Sequence, residues 1–245
     1  NPQKIHTIVV SAPSVEGINF KAMKGQTIGV IGGTGSGKSS LVNLIPRLYD
    51  ATQGEVLVDG VNVKDYDIET LRNKVGIVMQ KAVLFKGTIR ENMWMGKKGA
   101  TDEQIDEALE ISQSKEFVDS KQGRLDYVIE QGGKNLSGGQ RQRLTIARAI
   151  VRKPDVLILD DSASALDFAT DAALRKAIRG MNNSPTVFIV SQRAASLMYA
   201  DLIIVLDDGQ VAGMGTHDEL LANCEVYKEI YESQFKKADS EGGVA

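Results

Sequence analysis

A chain of 245 residues, 42% hydrophobic and 25% charged, has the balance of a folded globular protein with room for one large α/β domain or two small ones, and not that of a disordered segment. A net charge of −3, one cysteine (Cys224) and two histidines (His6 and His217) argue against a general nucleic-acid surface, an internal disulfide and a cysteine- or histidine-built metal centre. No apolar run approaches the ~20 residues of a bilayer span, and the start has no charged-then-apolar leader, so the chain itself is expected to be soluble and to work in a reducing compartment.

In chain order, residues 5–10 alternate weakly as a strand, turn at Ser11-Ala12-Pro13-Ser14, and continue into a second short strand at 15–20. An apolar strand at 27–31 runs into Gly32-Gly33-Thr34-Gly35-Ser36-Gly37-Lys38-Ser39, and a helical pattern follows over 40–48. Residues 54–60 read as a strand closing in a tight turn, and 75–79 as a short apolar strand ending on Gln80. At Thr101 the pattern becomes helical: Thr101 with Gln104 makes a capping box, and Ile105, Ala108 and Leu109 share one face. The continuous apolar runs at 156–159, 187–190 and 202–206 have the composition of parallel strands buried on both faces, separated by helical stretches at 169–181 and 193–199. Residues 217–236 read as a polar amphipathic helix or pair of helices, and 240–245 as a frayed tail.

The stretch at 32–39 fits G-x-x-x-x-G-K-[ST] with a strand before it and a helix after it. Glycines 33, 35 and 37 are expected to take positive φ and turn backbone N–H groups inward, forming an anion nest whose field adds to the positive end of the next helix. Lys38 supplies a point charge for the β- and γ-phosphates, and the Ser39 hydroxyl can ligate Mg²⁺. The strand at 156–159 ends in Asp160, where a carboxylate beside a phosphate loop is placed to hold Mg²⁺; the competing reading of a strand-terminal aspartate is a helix cap. Leu136-Ser137-Gly138-Gly139-Gln140, ahead of the strongly helical 141–152, is a second anion-facing helix start. Since one phosphate cradle is already present, the economical reading is a head-to-tail pair of chains, each closing this segment over the nucleotide of the other.

With these residues in this order the sequence resembles the nucleotide-binding domain of an ATP-binding cassette (ABC) transporter over nearly its whole length. Walker A lies at 32–39, the Q-loop glutamine at Gln80, the LSGGQ signature at 136–140, Walker B ends at Asp160, and the D-loop is Ser164-Ala165-Leu166-Asp167. Residues 84–92 and 215–221 resemble the exporter branch, in which the domain is usually fused behind a transmembrane domain. Residues 128–135 are similar to the exporter loop that touches the partner's membrane helices, with Gln131 standing where a Glu is usual. The resemblance implies one ABC domain over 1–245: an α/β P-loop NTPase with a mostly parallel sheet core and an antiparallel β subdomain over 1–80 and 153–238, an inserted helical subdomain over about 81–152, and a flexible tail at 239–245. It implies that ATP is held by Gly32, Gly33, Thr34, Gly35, Ser36, Gly37, Lys38, Ser39, Ser40 and Gln80, with Ser39, Gln80 and Asp160 on Mg²⁺. It further implies a transmembrane domain upstream and work at the cytoplasmic face of the cell membrane, while the charge balance argues for no nucleic-acid partner.

Three departures from the family's pattern bear on mechanism. The residue after Asp160, a Glu in the family that polarises the attacking water, is Asp161, one methylene shorter; the switch histidine is Gln192. With Lys38, these are the candidate catalytic positions, and losing a general base costs about 10² to 10⁴ in rate. The pair of changes points to a site built to hold ATP, set beside an intact signature that would serve a non-identical partner carrying Glu and His. Thirdly, the aromatic on which the family stacks adenine is missing from 10–15, where the connection is short. Two other functions stay open at this point: a non-transport ABC ATPase of DNA repair or translation, and a regulatory nucleotide-binding module with little turnover. The transported substrate is not written in this chain.

Overall fold

The computed structural model describes residues 14–162 and 165–241, the last seven of these by backbone alone. The strand expected at 5–10, the turn at 11–13 and Ser164 of the D-loop lie outside the described residues. The regular elements in chain order are β1 (Thr27–Gly32), α1 (Lys38–Asn43), β2 (Leu57–Val58), β3 (Val61–Asn62), α2 (Ile68–Lys74), β4 (Val75–Val78), β5 (Gly87–Thr88), α3 (Ile89–Trp94), α4 (Asp102–Ile111), α5 (Lys115–Asp119), β6 (Val128–Ile129), α6 (Gly138–Ile150), β7 (Val156–Asp160), α7 (Phe168–Arg179), β8 (Thr186–Val190), β9 (Leu202–Asp207), β10 (Gln210–Gly215), α8 (His217–Asn223) and α9 (Glu225–Glu241).

Six strands form the main sheet in the order β10-β9-β1-β8-β7-β4, parallel throughout except for β10, which runs antiparallel to β9. Each central strand is apolar without a break because both of its faces are covered. Successive residues serve two different cores: Ile28, Val30, Ile158, Phe188, Val190, Ile204 and Leu206 pack on one side, while Ile31, Leu157, Leu159, Val187, Ile189, Ile203 and Val205 pack on the other. The first core is closed by Leu41 and Val42 of α1 and Leu71 of α2; the second by residues of α3, α4, α6 and α7, among them Met93, Leu109, Leu144 and Leu174. The register brings the carboxyl ends of β1, β8 and β7 level, with Val30 opposite Val190 and Val190 opposite Asp160. That edge is where an open α/β sheet presents a crevice.

Several local expectations are met and several are revised. Helix α4 begins at the expected capping box, with Thr101 accepting from Gln104 N, and buries Ile105, Ala108 and Leu109. The predicted strand at 54–60 is only the two residues of β2, which turn back into β3 through Asp59 and Gly60 at φ 51° and 78°, the left-handed pair that a two-residue hairpin needs. Helix α1 stops at Asn43 and not at 48: Pro46 has no N–H to offer, and the chain tightens into bonds from Leu44 N to Leu41 O and from Ile45 N to Val42 O. Residues 15–20 form no regular strand; Glu16 N is bonded to Gly209 O, and Gly17 turns the backbone at φ 66°. The helix expected over 193–199 is a three-residue 3₁₀ turn, Ala194–Ser196. The C-terminal pattern resolves into two helices, α8 and α9, and the second continues through Glu241.

Candidate functional site

The phosphate-loop sequence folds as a tight connection between β1 and α1 over the core. Gly37, the residue before α1, sits at φ 91°, and a Cβ there would lie 2.4 Å from Val15 Cγ1 and 2.5 Å from the Ser14 carbonyl oxygen. At Gly32 a Cβ would lie 2.1 Å from the Leu206 carbonyl oxygen and 2.6 Å from Ser36 Oγ, so neither position accepts a side chain. Gly35 also takes positive φ as expected, whereas Gly33 does not. Ser14, Gly35, Gly37, Lys38, Ser39 and Ser40 line a cavity of ≈ 270 Å³. Ser14, which sequence reasoning left out of the site, reaches it because the segment before β1 folds back over the loop.

Lys38 is 8% exposed and donates from Nζ to the carbonyl oxygens of Gly32 (2.8 Å) and Gly33 (2.6 Å), with Ser36 Oγ at 3.4 Å. Burial holds its pKa below the usual lysine value, and the negative charges of Asp160 and Asp161 oppose that shift. At the end of β7, Asp160 is buried and its carboxyl is pushed above the ordinary aspartate value by burial; the bond from the Ser39 hydroxyl and the nearby Lys38 work the other way, while Asp161 adds to the rise. The chain therefore juxtaposes the Walker A serine and lysine with the Walker B aspartate, as their order in the sequence leads one to expect. Among the described residues no cluster of three or more His, Cys, Asp or Glu is placed to hold a metal ion. A hard cation here would rely on Ser39, Asp160, the amide oxygen of Gln80 and oxygens from outside the chain.

Asp161 turns away from the strand at φ 45°, with its N–H bonded to the Val190 carbonyl, and its Oδ2 accepts from Gln80 Nε2 at 3.1 Å. Two of the expected site residues, 81 positions apart in the chain, are thereby joined. Gln192 is exposed just past the end of β8, and its carbonyl oxygen accepts from Gln234 Nε2 of α9 at 2.7 Å.

The signature segment forms the start of α6. Ser137 accepts from Gln140 N at 3.2 Å, and Gln140 Oε1 accepts from Ser137 N at 3.1 Å, a reciprocal capping box; Leu136 is buried. Gly138 is open to solvent, and Gly139 faces the Ala165 carbonyl, where a Cβ would sit at 3.4 Å. None of residues 136–140 lines the phosphate-loop cavity. In the D-loop, Ala165 is exposed, Leu166 joins the core, and Asp167 caps α7 by accepting from Thr170 N at 2.9 Å. That bond holds the Asp167 carboxyl below its ordinary value.

Two loops that are far apart in sequence meet through the short pairing of β5 with β6. Asn92 bonds both the N–H and the carbonyl of Phe85, and Asn135 bonds the Val128 carbonyl and the Glu130 N–H. This leaves Val83, Phe85 and Val128 42%, 46% and 56% exposed. Arg148 of α6 reaches the same region, donating to the Val83 carbonyl at 2.9 Å with its guanidinium 5.9 Å from the centre of the Phe85 ring. Gln131 is exposed in the turn that follows β6.

Residues 15–164 match the family model described as ABC transporter. The chain is 44% identical over 228 residues to "Uncharacterized ABC transporter ATP-binding protein YfiB" of Bacillus subtilis (strain 168), covering 93% of this chain and 39% of that protein. It is 40% identical over 223 residues to a "Putative multidrug export ATP-binding/permease protein" of Staphylococcus aureus (strain NCTC 8325), covering 91% of this chain and 39% of that one. Among solved structures, a bacterial Atm1-family ABC exporter with ATP bound superposes with a TM-score of 0.85 at 32% identity, over 90% of this chain and 39% of the other. The chain thus spans about two fifths of the length of the curated relatives it matches.

Proposed function

The chain belongs to the ABC transporter family, and from that premise we propose that it is the ATP-binding motor domain of an exporter, with a site of its own adapted to hold nucleotide more than to hydrolyse it. The observation that carries the nucleotide assignment is Lys38, a buried ammonium tied to the Gly32 and Gly33 carbonyls beside the Ser39–Asp160 pair. Burial disfavours such a cation and Asp160 and Asp161 only partly offset this; a triphosphate seated on the loop would give it a charge-assisted partner.

On this reading, Gly32, Gly33, Thr34, Gly35, Ser36, Gly37, Lys38, Ser39 and Ser40 cradle the phosphates, and Ser39, Asp160 and Gln80 face the Mg²⁺ that accompanies them. The donor set fits a hard cation, being hydroxyl, carboxylate and amide oxygens. Bound Mg²⁺ neutralises phosphate charge; the chain's own residues orient and shield. Asp161 accepts a bond from Gln80, and Gln192 carries no imidazole, so both groups that would position and activate water are altered. The signature residues 136–140 do not line this chain's cavity, which supports a role in closing the ATP site of a second nucleotide-binding domain, a non-identical one with Glu and His. We assign 81–152 as the helical subdomain inserted between the two parts of the core. The exposed Val83, Phe85 and Val128 support docking of a transmembrane domain on that subdomain. Among the described residues no helix is long and apolar enough to cross a membrane. The likeness to an ATP-binding/permease protein and to an ABC exporter supports a membrane-spanning part in a further segment or subunit, with this domain at the cytoplasmic face.

Titrating the chain with Mg-ATP, alone and with Lys38 replaced by alanine, tests the nucleotide reading. Measuring turnover of the chain alone and mixed with a candidate partner tests the division of labour. High turnover by the chain alone would discard the holding role.

A further inference from the structure

The backbone after β8 is fixed by a side chain from near the far end of the chain. Ser191 N is bonded to the Val30 carbonyl of β1 at 3.1 Å, and three residues on, Ala194 is fully buried at the start of its 3₁₀ turn. Arg193, the residue before that turn, supplies no side-chain cap. Gln234 of α9 supplies the bond instead: its Oε1 accepts from Ala194 N at 2.9 Å, while its Nε2 donates to the Gln192 carbonyl at 2.7 Å. Further along, Arg175 of α7 donates to the Ser196 carbonyl at 2.6 Å and is paired with the buried Asp171 at 2.7 Å. The segment carrying Gln192 is thus pinned from two helices, one starting at the D-loop and the other at the end of the chain.

We infer that Gln234 is a positioning residue for Gln192, and that the docking of α9 sets the direction in which the Gln192 side chain leaves the backbone. Bonds to the carbonyl of 192 and the N–H of 194 together fix the two peptide planes that flank Arg193, and with them the φ and ψ of Arg193 and the carbonyl end of Gln192. A primary amide is what this needs. Alanine removes both bonds, glutamate keeps the acceptor but sets an oxygen against the Gln192 carbonyl, and asparagine falls one methylene short. The inference rests on the reading of Gln192 as one of the two groups that would position water in the site.

Hydrogen exchange at the Ala194 amide tests the clamp independently of that reading, with turnover of ³²P-labelled ATP in a single-turnover experiment as the second measurement. In Gln234→Ala and in Gln234→Met, which both remove the acceptor, Ala194 is expected to exchange about tenfold faster or more, while the Kd for Mg-ATP stays within about twofold because the Lys38 cradle is untouched. The hydrolysis rate is expected to change in the same direction as in Gln192→Ala, and Gln192→Ala with Gln234→Ala to change it little beyond Gln192→Ala alone. The Met variant keeps the size of the side chain should the Ala variant fold poorly. Unaltered exchange at Ala194 in the folded variants would overturn the clamp. Faster exchange with unaltered hydrolysis, where Gln192→Ala does alter it, would overturn the positioning role and leave the reading of the site intact. If neither Gln192→Ala nor the Gln234 variants alter hydrolysis, Gln192 has no role there and the inference falls with it.

Discussion

Replacing Lys38 by alanine separates what the lysine does for the fold from what it does for the nucleotide. In the chain the ammonium makes two short bonds, to Gly32 O at 2.8 Å and Gly33 O at 2.6 Å. Gly33 is exposed and exchanges its lost partner for water; Gly32 is buried, and its carbonyl loses a donor, at a cost of about 1 kcal/mol. Burial of the ammonium, which lowers its pKa, works against the folded state and offsets part of that loss. The nucleotide-free melting temperature is therefore expected to fall by about 2–4 °C at most. Binding loses a charge-assisted contact to phosphate instead, worth about 1.5–3 kcal/mol, or roughly 10- to 150-fold in Kd. Isothermal titration with Mg-ATP, beside thermal melts of both proteins, gives the two numbers. An unchanged Kd would refute the phosphate assignment, and a collapse of the fold with no separable effect on binding would refute the division of roles.

Asp160→Asn should abolish the Mg²⁺ dependence of nucleotide binding without destabilising the empty fold. Because burial raises the pKa of Asp160 in the folded state, the native chain takes up that proton more readily than the unfolded one, and stability is lost as pH rises from the ordinary aspartate range through the raised value. Melts between pH 4 and 7 should show this contribution in the wild type and lack it in the Asn variant. Ser137→Ala removes the capping box of α6, at about 1 kcal/mol, and should slow hydrolysis at a partner's site in the assembled pair by far more than a change of that size in stability explains; equal loss at this chain's own site would argue against the head-to-tail arrangement. Asp161→Glu should raise single-turnover hydrolysis at this site only modestly and Gln192→His with it should raise it further, while no gain in the double variant would dismiss the account of a degenerate site.

The parts of the fold and site that were legible in the sequence are those whose cause is local. The phosphate loop needs its glycines within a few residues of one another, the buried strands write themselves as unbroken apolar runs, and the S-x-x-Q of Ser137 and Gln140 marks a helix start wherever it stands. Strand β10 was missed because Gln210-Val211-Ala212-Gly213-Met214-Gly215 has little apolar period, although Asp208-Gly209 before it, at φ 43° and 80°, is a hairpin signal in its own right. The pairing of β5 with β6 is two residues long and joins segments about 40 positions apart, too little to leave a pattern. Gln234 could not be found from sequence at all: its partners lie 40 and 42 residues away, and a polar residue on a polar helix carries no mark of what it bonds.

The two altered positions of the candidate site are not independent, because they hang from one pair of strands. Asp160 stands opposite Val190 in the parallel register, the Asp161 N–H is bonded to the Val190 carbonyl, and Gln192 follows two residues later. The anchors of both side chains are therefore set by the β7–β8 pairing, with neighbouring strands about 4.8 Å apart, while their reach is set by length and by what holds the loop. Gln80 fixes one and Gln234 fixes the backbone of the other. Lengthening Asp161 by a methylene changes its reach without moving its anchor, and it also alters a group already bonded to Gln80. Changing Gln192 alters a side chain on a backbone held from α9. Residues sharing a hydrogen-bonded strand pair couple energetically, so the gain from restoring both positions should differ from the sum of the single gains. That difference, measured as a double-mutant cycle, would report the coupling between the two positions and not either side chain alone.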